Sequence, residues 1–358
     1  MEKLGLGIIG CGNISDIYLK NCKSKFPSIK LIACSDLDME KAEAKAKEYD
    51  IKACTVEELL ANDDINIVLN ITTPQSHRIV CEQILKAGKH VYVEKPLSLT
   101  KEDGKFLVDL ANEKGLKIGC APDTFLGGGI QTCAKLIEDG WIGEPIAATA
   151  FLTCHGHESW HPDPEFYYKV GGGPMFDMGP YYLTALISLL GPVDTVAGYT
   201  KKSFETRTIT SEKKCGQIID VEVPTHINGL LRFKNGAIGT LITSFDVWGA
   251  ELPRIEIYGT KGSLSVPDPN TFGGPVKIRT NNNNEFVEMP LSHGYAENSR
   301  GLGIADMAEA IINNTNHKAN GDLAYHVLDI MHAFHEASDK EEYIKIESTC
   351  LKPEMMKR

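Results

Sequence analysis

The sequence predicts an α/β domain built on a parallel sheet, followed by an α+β domain with a large, mostly antiparallel open sheet. Over the first 120 residues, short apolar runs alternate with helical patterns, which is typical of βαβ units. After residue 121 the apolar runs become shorter, richer in β-branched residues and separated by turn residues. A length of 358 residues also exceeds one ordinary core, so we place the domains at residues 1–122 and 123–358.

The elements of the first domain follow one another at short intervals. Strands are predicted at 4–9, 29–34, 65–71, 90–93 and 116–120, and helices at 14–25, 40–48, 76–87 and 101–114. The strands are short apolar runs, as expected of a parallel sheet with helices on both faces. Gly88 and Gly115 stand where two of the helices should stop.

The second domain has fewer helices and more turns. Helices are predicted at 129–139, 181–190, 303–313 and 323–337, and a strand at 146–153. Pro180 fits the first turn of the helix at 181–190, and Asn235-Gly236 marks a hairpin. One face of the sheet is covered by helices, and a partner subunit is the expected cover of the other. We therefore expect a homo-oligomer, with C-terminal helices that can pack back on the first domain.

Composition and cysteine usage exclude several classes of protein. A net charge of −11 argues against a nucleic acid or an anionic membrane as partner. The ten cysteines are scattered and form no C-x-x-C pair, which is typical of the reduced thiols of a cytoplasmic protein. The first strand leaves no room for a signal peptide, and no apolar run approaches the roughly 20 residues of a membrane helix. We therefore expect a cytoplasmic globular protein.

A glycine-rich turn lies directly between the first strand and the first helix. In GIIGCGNIS, Gly10 suits the tight turn and Gly12 the close approach of a pyrophosphate, while Asn13 and Ile14 lead into the helix N-terminus. Ser15 replaces the usual third glycine with another small residue. Asp36, at the end of the second strand, would accept hydrogen bonds from a ribose diol and repel a 2′-phosphate. These residues predict a Rossmann domain that binds NAD rather than NADP.

Three further segments carry a family resemblance. They are TTPQSH (72–77), VYVEKPLSLT (91–100) and GGGPMFDMGPYY (171–182). Together with the glycine-rich turn they resemble the Gfo/Idh/MocA oxidoreductases, which include glucose–fructose oxidoreductase, inositol dehydrogenases and related sugar dehydrogenases. The resemblance extends over essentially the whole chain and implies hydride transfer between a secondary hydroxyl and NAD.

The resemblance implies catalytic roles for Lys95, Asp177 and Tyr181. Lys95 of the E-K-P motif would hydrogen-bond the carbinol oxygen, and Asp177 would position the substrate. The family usually carries a general-base histidine four residues after this aspartate, whereas this chain has Tyr181, as some branches of the family do. A phenol is a weak base at neutral pH, so we expect Lys95 to stabilise the phenolate form of Tyr181.

The same motifs supply further cofactor contacts. Glu94 would orient Lys95 or contact the nicotinamide side, and the rim of the cofactor site would be shaped by Thr72, Thr73 and Pro74. His77 follows in the first turn of the predicted helix, and we interpret it as structural. The resemblance also implies that the peptide bond before Pro96 is often cis.

A histidine-rich loop, HGHESWHPDPEFYY (155–168), has two interpretations. Histidine and carboxylate suit Zn²⁺ or Mn²⁺, but H-x-H-x-x-x-H is not a recognised closed-site spacing and hydride transfer to NAD needs no metal. We therefore favour substrate recognition without a metal, in which an aromatic ring stacks on a sugar and polar groups bond its hydroxyls, and keep a metal site as the alternative. The predicted substrate-binding residues are Asp123, His155, His157, Glu158, Trp160, His161 and Asp177.

The sequence thus predicts NAD-dependent oxidation of a secondary hydroxyl of a neutral sugar, a glycoside or a cyclitol to the ketone. Many family members carry N-x-R-F where this chain has Asp123-Thr124-Phe125, and the missing arginine together with the histidine-rich loop favours a glycoside, with C3 as a candidate position. A glycoside hydrolase that uses NAD without consuming it would share every motif. A non-catalytic NAD-binding sensor is a second alternative, although such a protein would more readily have lost Lys95 or the 171–182 block.

Overall fold

The computed structural model describes residues 3–357, which divide into two compact units. The first unit comprises the described residues up to Leu126 together with Glu297–Leu328. The second comprises Gly127–Ala296 and the described residues from Asp329 onward. The boundary predicted after residue 122 had assigned residues 123–126 and 297–328 to the second domain.

The first unit is built on a parallel sheet. Its elements up to residue 120 are β1 (Leu4–Ile9), α1 (Ser15–Ser24), β2 (Ile29–Ser35), α2 (Met39–Tyr49), β3 (Lys52–Ala53), α3 (Val56–Leu60), β4 (Ile67–Asn70), α4 (Pro74–Lys86), β5 (His90–Val93), α5 (Lys101–Glu113) and β6 (Ile118–Cys120). In the described chain the strand order is β3-β2-β1-β4-β5-β6, with parallel pairing throughout. This confirms the predicted Rossmann arrangement. The order reverses between β1 and β4, so ligands of such a sheet bind at the carboxyl ends of these strands.

Two short elements of this unit, β3 and α3, were not predicted. β3 pairs with β2 through two residues only. Helix α3 is fixed by a capping box, in which the Thr55 side chain accepts from the Glu58 amide and the Glu58 side chain accepts from the Thr55 amide. Elements this short carry too little periodicity to be recognised from apolar spacing.

The second unit contains a large mixed sheet. The elements from residue 128 to 289 are α6 (Gly128–Glu138), β7 (Pro145–Thr153), α7 (Gly173–Leu190), β8 (Val193–Lys201), β9 (Thr206–Thr208), β10 (Ile218–Asp220), β11 (His226–Phe233), β12 (Ile238–Ser244), β13 (Ile255–Gly259), β14 (Gly262–Val266), β15 (Val276–Thr280) and β16 (Val287–Met289). The rest of the described chain adds α8 (Leu302–Ile312), which belongs to the first unit, α9 (Gly321–Lys340), which begins in the first unit and continues in the second, and β17 (Ile344–Lys345) of the second unit.

The large sheet has the order β16-β15-β14-β13-β7-β12-β11-β8-β17 within the described residues. β7 and β12 pair in parallel and their neighbours pair antiparallel, which confirms the mostly antiparallel sheet. The predicted hairpin joins β11 to β12, and the Ala237 amide donates to the Asn235 side chain in its turn. Helix α7 packs on one face of β7, β11 and β12. β9 and β10 form a separate two-stranded ribbon.

Helix α7 corrects the helix start predicted at Tyr181. The helix begins at Gly173, with Pro174 in its first turn and Pro180 inside it. The first-turn proline is therefore Pro174, and Pro180 is tolerated because the helix is buried on nearly all sides. As a result Asp177 and Tyr181 lie one turn apart on a continuous helix and project from the same side.

None of the helices within residues 3–357 combines the length and the apolar character that a membrane span requires. All ten cysteines are free thiols.

Candidate active site

The glycine-rich turn has the backbone geometry that its sequence predicts. Gly10 has a φ of 107°, and a Cβ at this position would lie 2.7 Å from the carbonyl oxygen of Ile71. A Cβ at Gly12 would meet no atom within 4 Å. The Ser15 hydroxyl donates to the Gly12 carbonyl at 2.7 Å and so closes the turn at the start of α1. The space beside Gly12 is open, at the helix end where a pyrophosphate is stabilised.

Asp36 is fixed beside this turn. The Cys11 amide donates to its Oδ2 at 2.6 Å, and the Asp38 amide donates to its Oδ1 at 2.9 Å. The carboxylate therefore stands at the end of β2, with a defined orientation next to the glycine-rich turn. The open space beside Gly12, the helix N-terminus and the fixed carboxylate fit a dinucleotide with an unphosphorylated ribose. Asn13 and Ile14 are exposed at the same helix start.

The segments after β4 and β5 are tied together by a buried histidine. The Nδ1 atom of His77 lies 2.7 Å from the Pro96 carbonyl oxygen, and its Nε2 lies 3.1 Å from that of Thr72. Asn70 accepts from the amide and the hydroxyl of Thr72 at 3.2 and 2.7 Å. Burial lowers the pKa of His77. Its role is structural, as the sequence indicates, and it joins the T-T-P segment (72–74) to the E-K-P segment (94–96).

Glu94 positions the backbone of the E-K-P motif. The Tyr18 hydroxyl donates to Glu94 Oε1 at 2.6 Å, and the Lys95 amide donates to Glu94 Oε2 at 2.9 Å. The Lys95–Pro96 peptide bond is cis, as the resemblance implies. Sequence reasoning missed Tyr18, because nothing in its local pattern distinguishes it from other apolar positions of α1. It is fully buried, and burial followed by the Glu94 charge raises its pKa.

Asp123, predicted to bind substrate, is buried within the first unit. Its side chain is 1% exposed, and its Oδ2 accepts from the amides of Gly301 and Gly303 at 2.9 and 3.0 Å. Burial raises its pKa to about 6. Asp123 therefore caps the start of α8.

In the second unit, the histidine-rich loop brings a histidine to Asp177. The Nε2 atom of His157 lies 3.2 Å from Asp177 Oδ2, and both side chains are largely buried. The Trp160 ring stands edge-on to His157 with 5.2 Å between ring centroids, and it is 61% exposed. A carboxylate, an imidazole and an exposed aromatic ring thus lie side by side, which is the combination that binds hydroxyls and an apolar sugar face.

The two other histidines of this loop have different surroundings. His155 stacks on Trp248 with ring centroids 3.4 Å apart. His161 accepts from the Asp163 amide at 3.0 Å, and burial lowers its pKa. Within residues 3–357, no group of three or more His, Cys, Asp or Glu side chains is arranged to hold a metal ion.

Glu158, predicted to bind substrate, is part of a buried ion-pair network. It is 6% exposed and pairs with Arg207, and the Tyr168 hydroxyl donates to it. Burial alone would raise the pKa of Glu158, but the hydrogen bonds from Arg207 and Tyr168 hold it below its usual value. Arg207 also reaches Asp246 at 3.3 Å and the carbonyl oxygens of His155 and Phe245, both at 3.0 Å.

Arg207 lies on β9 and is another residue that the sequence does not single out. It stands 49 residues from Glu158 in the chain, in a turn-rich segment with no recognisable motif. Through it, the β9–β10 ribbon braces the histidine-rich loop.

The three predicted catalytic residues belong to different units. Lys95 follows β5 in the first unit, whereas Asp177 and Tyr181 lie on α7 in the second. Tyr181 is 8% exposed and Tyr182 is fully buried in the core.

Comparisons with known proteins agree with this architecture. A family model described as an oxidoreductase family with an NAD-binding Rossmann fold matches residues 4–121, and the GFO/IDH/MocA C-terminal domain matches residues 130–265. The chain is 26% identical over 312 residues to dTDP-3,4-didehydro-2,6-dideoxy-alpha-D-glucose 3-reductase of Streptomyces antibioticus, which covers 85% of this chain and 88% of that protein. It is 24% identical over 350 residues to D-glucoside 3-dehydrogenase of Escherichia coli strain K12, which covers 94% of this chain and 95% of that protein.

A solved structure of levoglucosan dehydrogenase in complex with NADH and L-sorbose has the same fold, with a TM-score of 0.81 and 20% identity over 97% of this chain and 100% of that one. The two family models together match most of the chain, the first starting at β1 and the second ending in β14. The chain therefore belongs to the Gfo/Idh/MocA family of oxidoreductases, and its cofactor is NAD.

Proposed function

We propose that this enzyme oxidises a secondary hydroxyl of a neutral sugar, a glycoside or a cyclitol to the ketone. The observation that carries the proposal is the Asp177–His157 pair beside the exposed ring of Trp160. Polar groups for hydroxyls and an aromatic face for ring C–H groups are what a neutral carbohydrate requires. A glycoside oxidised at C3 is the favoured substrate, because the likeness to D-glucoside 3-dehydrogenase, at 24% identity, extends over 94% of this chain.

In the proposed reaction, bound NAD supplies the hydride acceptor. Lys95 donates a hydrogen bond to the carbinol oxygen and Tyr181 accepts the hydroxyl proton, so that the carbon–oxygen double bond forms as the hydride leaves. Asp177 accepts a hydrogen bond from a neighbouring substrate hydroxyl and fixes the sugar. A phenol accepts a proton only once it is ionised, and the positive charge of Lys95 favours that form. The proposal therefore requires Lys95 and Tyr181 to act on one substrate oxygen.

A panel of glycosides, free sugars and cyclitols tests the reaction. With NAD, we expect NADH absorbance to rise and a ketone product to form with at least one neutral substrate. If no member of the panel reduced NAD, this result would contradict the proposal. Release of free sugar without net NADH would instead identify a glycoside hydrolase that uses NAD without consuming it.

Replacing Tyr181 tests the base. We expect Tyr181→Phe to lower kcat by roughly 10²- to 10⁴-fold, the usual contribution of a general base, with NAD affinity unchanged. Tyr182→Phe is the matched control, because Tyr182 is fully buried in the core one residue further along α7. Steady-state kinetics and an NAD titration of both variants measure this. Near-normal turnover of Tyr181→Phe would remove Tyr181 from the mechanism.

We further propose that the enzyme is a cytoplasmic homo-oligomer that buries the open face of its large sheet. On β8, β11 and β12, Tyr199, Leu230 and Ile238 are 70%, 46% and 56% exposed, and Leu230 alternates with the buried Leu231. Exposed apolar side chains on one sheet face favour a protein partner. Sedimentation of Leu230→Asp against the wild-type enzyme should show a shift to a smaller species. The ten free thiols support a reducing compartment.

A further inference from the structure

His157 lies beside Asp177, in a position from which it can fix the orientation of the Asp177 carboxylate. It lies in the loop after β7, and its Nε2 atom is 3.2 Å from Asp177 Oδ2. The rings of Tyr167 and Phe245 stand edge-on to it, with centroids 4.2 and 4.7 Å away, and Trp160 borders it on a further side. These aromatic neighbours restrict the imidazole to few orientations, so its approach to Asp177 is defined by packing.

The backbone around His157 is fixed as well. Its carbonyl oxygen accepts from the amides of Trp160 and His161 at 3.3 and 3.0 Å. The next residue, Glu158, is paired with Arg207, and its carbonyl oxygen accepts from the amides of Thr210 and Ser211 at 3.0 and 2.8 Å. The backbone position of His157 is therefore set by contacts within the loop and with the β9–β10 ribbon.

Asp177 needs such a partner. Its side chain is 16% exposed and its neighbours on α7 are largely apolar. A carboxylate that loses most of its hydration requires hydrogen-bond donors in place of water. An imidazole N–H directed at one oxygen is such a donor, and it also favours one rotamer of the carboxylate.

We propose that His157 is a positioning residue that donates its Nε2–H to Asp177 and thereby holds the carboxylate in one rotamer, aimed at a substrate hydroxyl. This rests on the proposed function, in which Asp177 binds the sugar. The pair joins the loop that carries Trp160 to the helix that carries Tyr181, so the sugar-stacking ring and the hydroxyl acceptor are set relative to each other. His157 acts through Asp177, and the two side chains form one unit in substrate binding.

A double-mutant cycle tests the proposal. The variants are His157→Phe, which keeps an aromatic ring and removes the donor, Asp177→Ala, and the double variant. A hydrogen bond to a charged group is worth about tenfold to a hundredfold in an equilibrium or rate, so His157→Phe should lower kcat/KM by that factor, mainly through KM. In the Asp177→Ala background the same change should alter kcat/KM less than about threefold, because the residue through which it acts is gone.

The conservative variant distinguishes positioning from packing. His157→Gln places an amide N–H near the position of Nε2, so it should recover at least half of the logarithmic loss of His157→Phe. His226→Gln is the matched control, because the Nδ1 atom of His226 bonds the Ser244 hydroxyl at 2.9 Å on the large sheet, and kcat/KM should stay within twofold. All variants are first compared in thermal unfolding, so that a folding defect is not mistaken for a loss of substrate binding.

Three results would overturn the proposal but not the proposed function. In the first, the losses in kcat/KM of the two single variants multiply in the double variant. In the second, His157→Gln recovers none of the loss of His157→Phe, and in the third, the two substitutions are coupled in thermal unfolding but not in kcat/KM. A wild-type enzyme that turns over none of the sugars or cyclitols contradicts the proposed function itself.

Discussion

The two glycines of the nucleotide turn are needed for different physical reasons. Gly10 is required by the backbone, since its φ of 107° is strained for a residue with a side chain and a Cβ would press against the Ile71 carbonyl. Gly12 has an open environment, where a Cβ would meet nothing within 4 Å. The ligand needs the open space beside Gly12, because a pyrophosphate must approach the backbone there.

This difference predicts that two alanine variants differ in stability although both bind NAD more weakly. Gly10→Ala should lose about 1–3 kcal/mol of unfolding free energy from backbone strain, with NAD binding reduced as a consequence. Gly12→Ala should unfold like the wild-type protein and still bind NAD at least tenfold more weakly, since the new methyl group occupies the space for the pyrophosphate. Urea unfolding and an NAD titration measure the two quantities separately. If Gly12→Ala bound NAD normally, the open space beside it would not be the pyrophosphate site.

At the scale of elements, the histidine-rich loop is held in place by the β9–β10 ribbon, which follows it in the chain. Arg207 of β9 is 5% exposed and pairs with both Glu158 and Asp246, whose side chains are also largely buried. It also satisfies two backbone carbonyl groups of the loop and of the end of β12. Removing one member of such a network leaves uncompensated buried charge, which costs far more than losing an exposed pair.

We therefore expect Arg207→Met to lose roughly 3–5 kcal/mol of unfolding free energy and to weaken sugar binding. The matched control is Arg232→Met, since Arg232 is largely exposed and pairs with Asp194 at 2.6 Å. An exposed pair of this kind contributes about 0–1 kcal/mol. Guanidinium unfolding of both variants gives the comparison, and equal losses would show that the buried network does not hold the loop.

For the molecule as a whole, the buried ionisable groups of the first unit set how stability depends on pH. Burial lowers the pKa of His90 and of His317 to about 4. The unfolded chain therefore binds more protons than the folded one between roughly pH 6.5 and 4, so stability falls as pH falls through this window. Asp123, with its pKa raised to about 6, has the opposite sign and gains stability as pH falls from about 6 to 4.

Burial lowers the pKa of His77 as well, so His77, His90 and His317 together oppose Asp123, and acid should destabilise the protein between pH 6.5 and 4. His317→Gln keeps a donor for the Ile118 carbonyl and removes the titrating ring, so it should reduce this loss by up to about 3 kcal/mol. Asp123→Asn should steepen the loss, since the opposing group is gone. Urea unfolding at pH 7 and pH 4.5 measures all three proteins. An unchanged pH dependence of His317→Gln would contradict the assignment.

Much of the fold could be predicted because its signals are local. The strands of the parallel sheet are continuous apolar runs, and the turn that binds NAD is set by glycines within a few residues of a strand and a helix. Pro174 and Pro180 both suit a first turn locally, and only the packing of α7 on the sheet decides that the helix begins at Gly173. Burial on nearly all sides outweighs the cost of about 3 kcal/mol for an internal proline.

By itself the sequence determined the Rossmann domain, its cofactor and the positions of Lys95, Asp177 and Tyr181 in the chain. Only the tertiary structure assigned partners: Tyr18 to Glu94 across 76 residues, Arg207 to Glu158 across 49, and Gly301 to Asp123 across 178. Asp123 and Glu158, both predicted to bind substrate, have such distant partners. Apolar periodicity and turn chemistry act over one or two turns of chain, whereas the partner of a buried charge is chosen by which distant segments pack together.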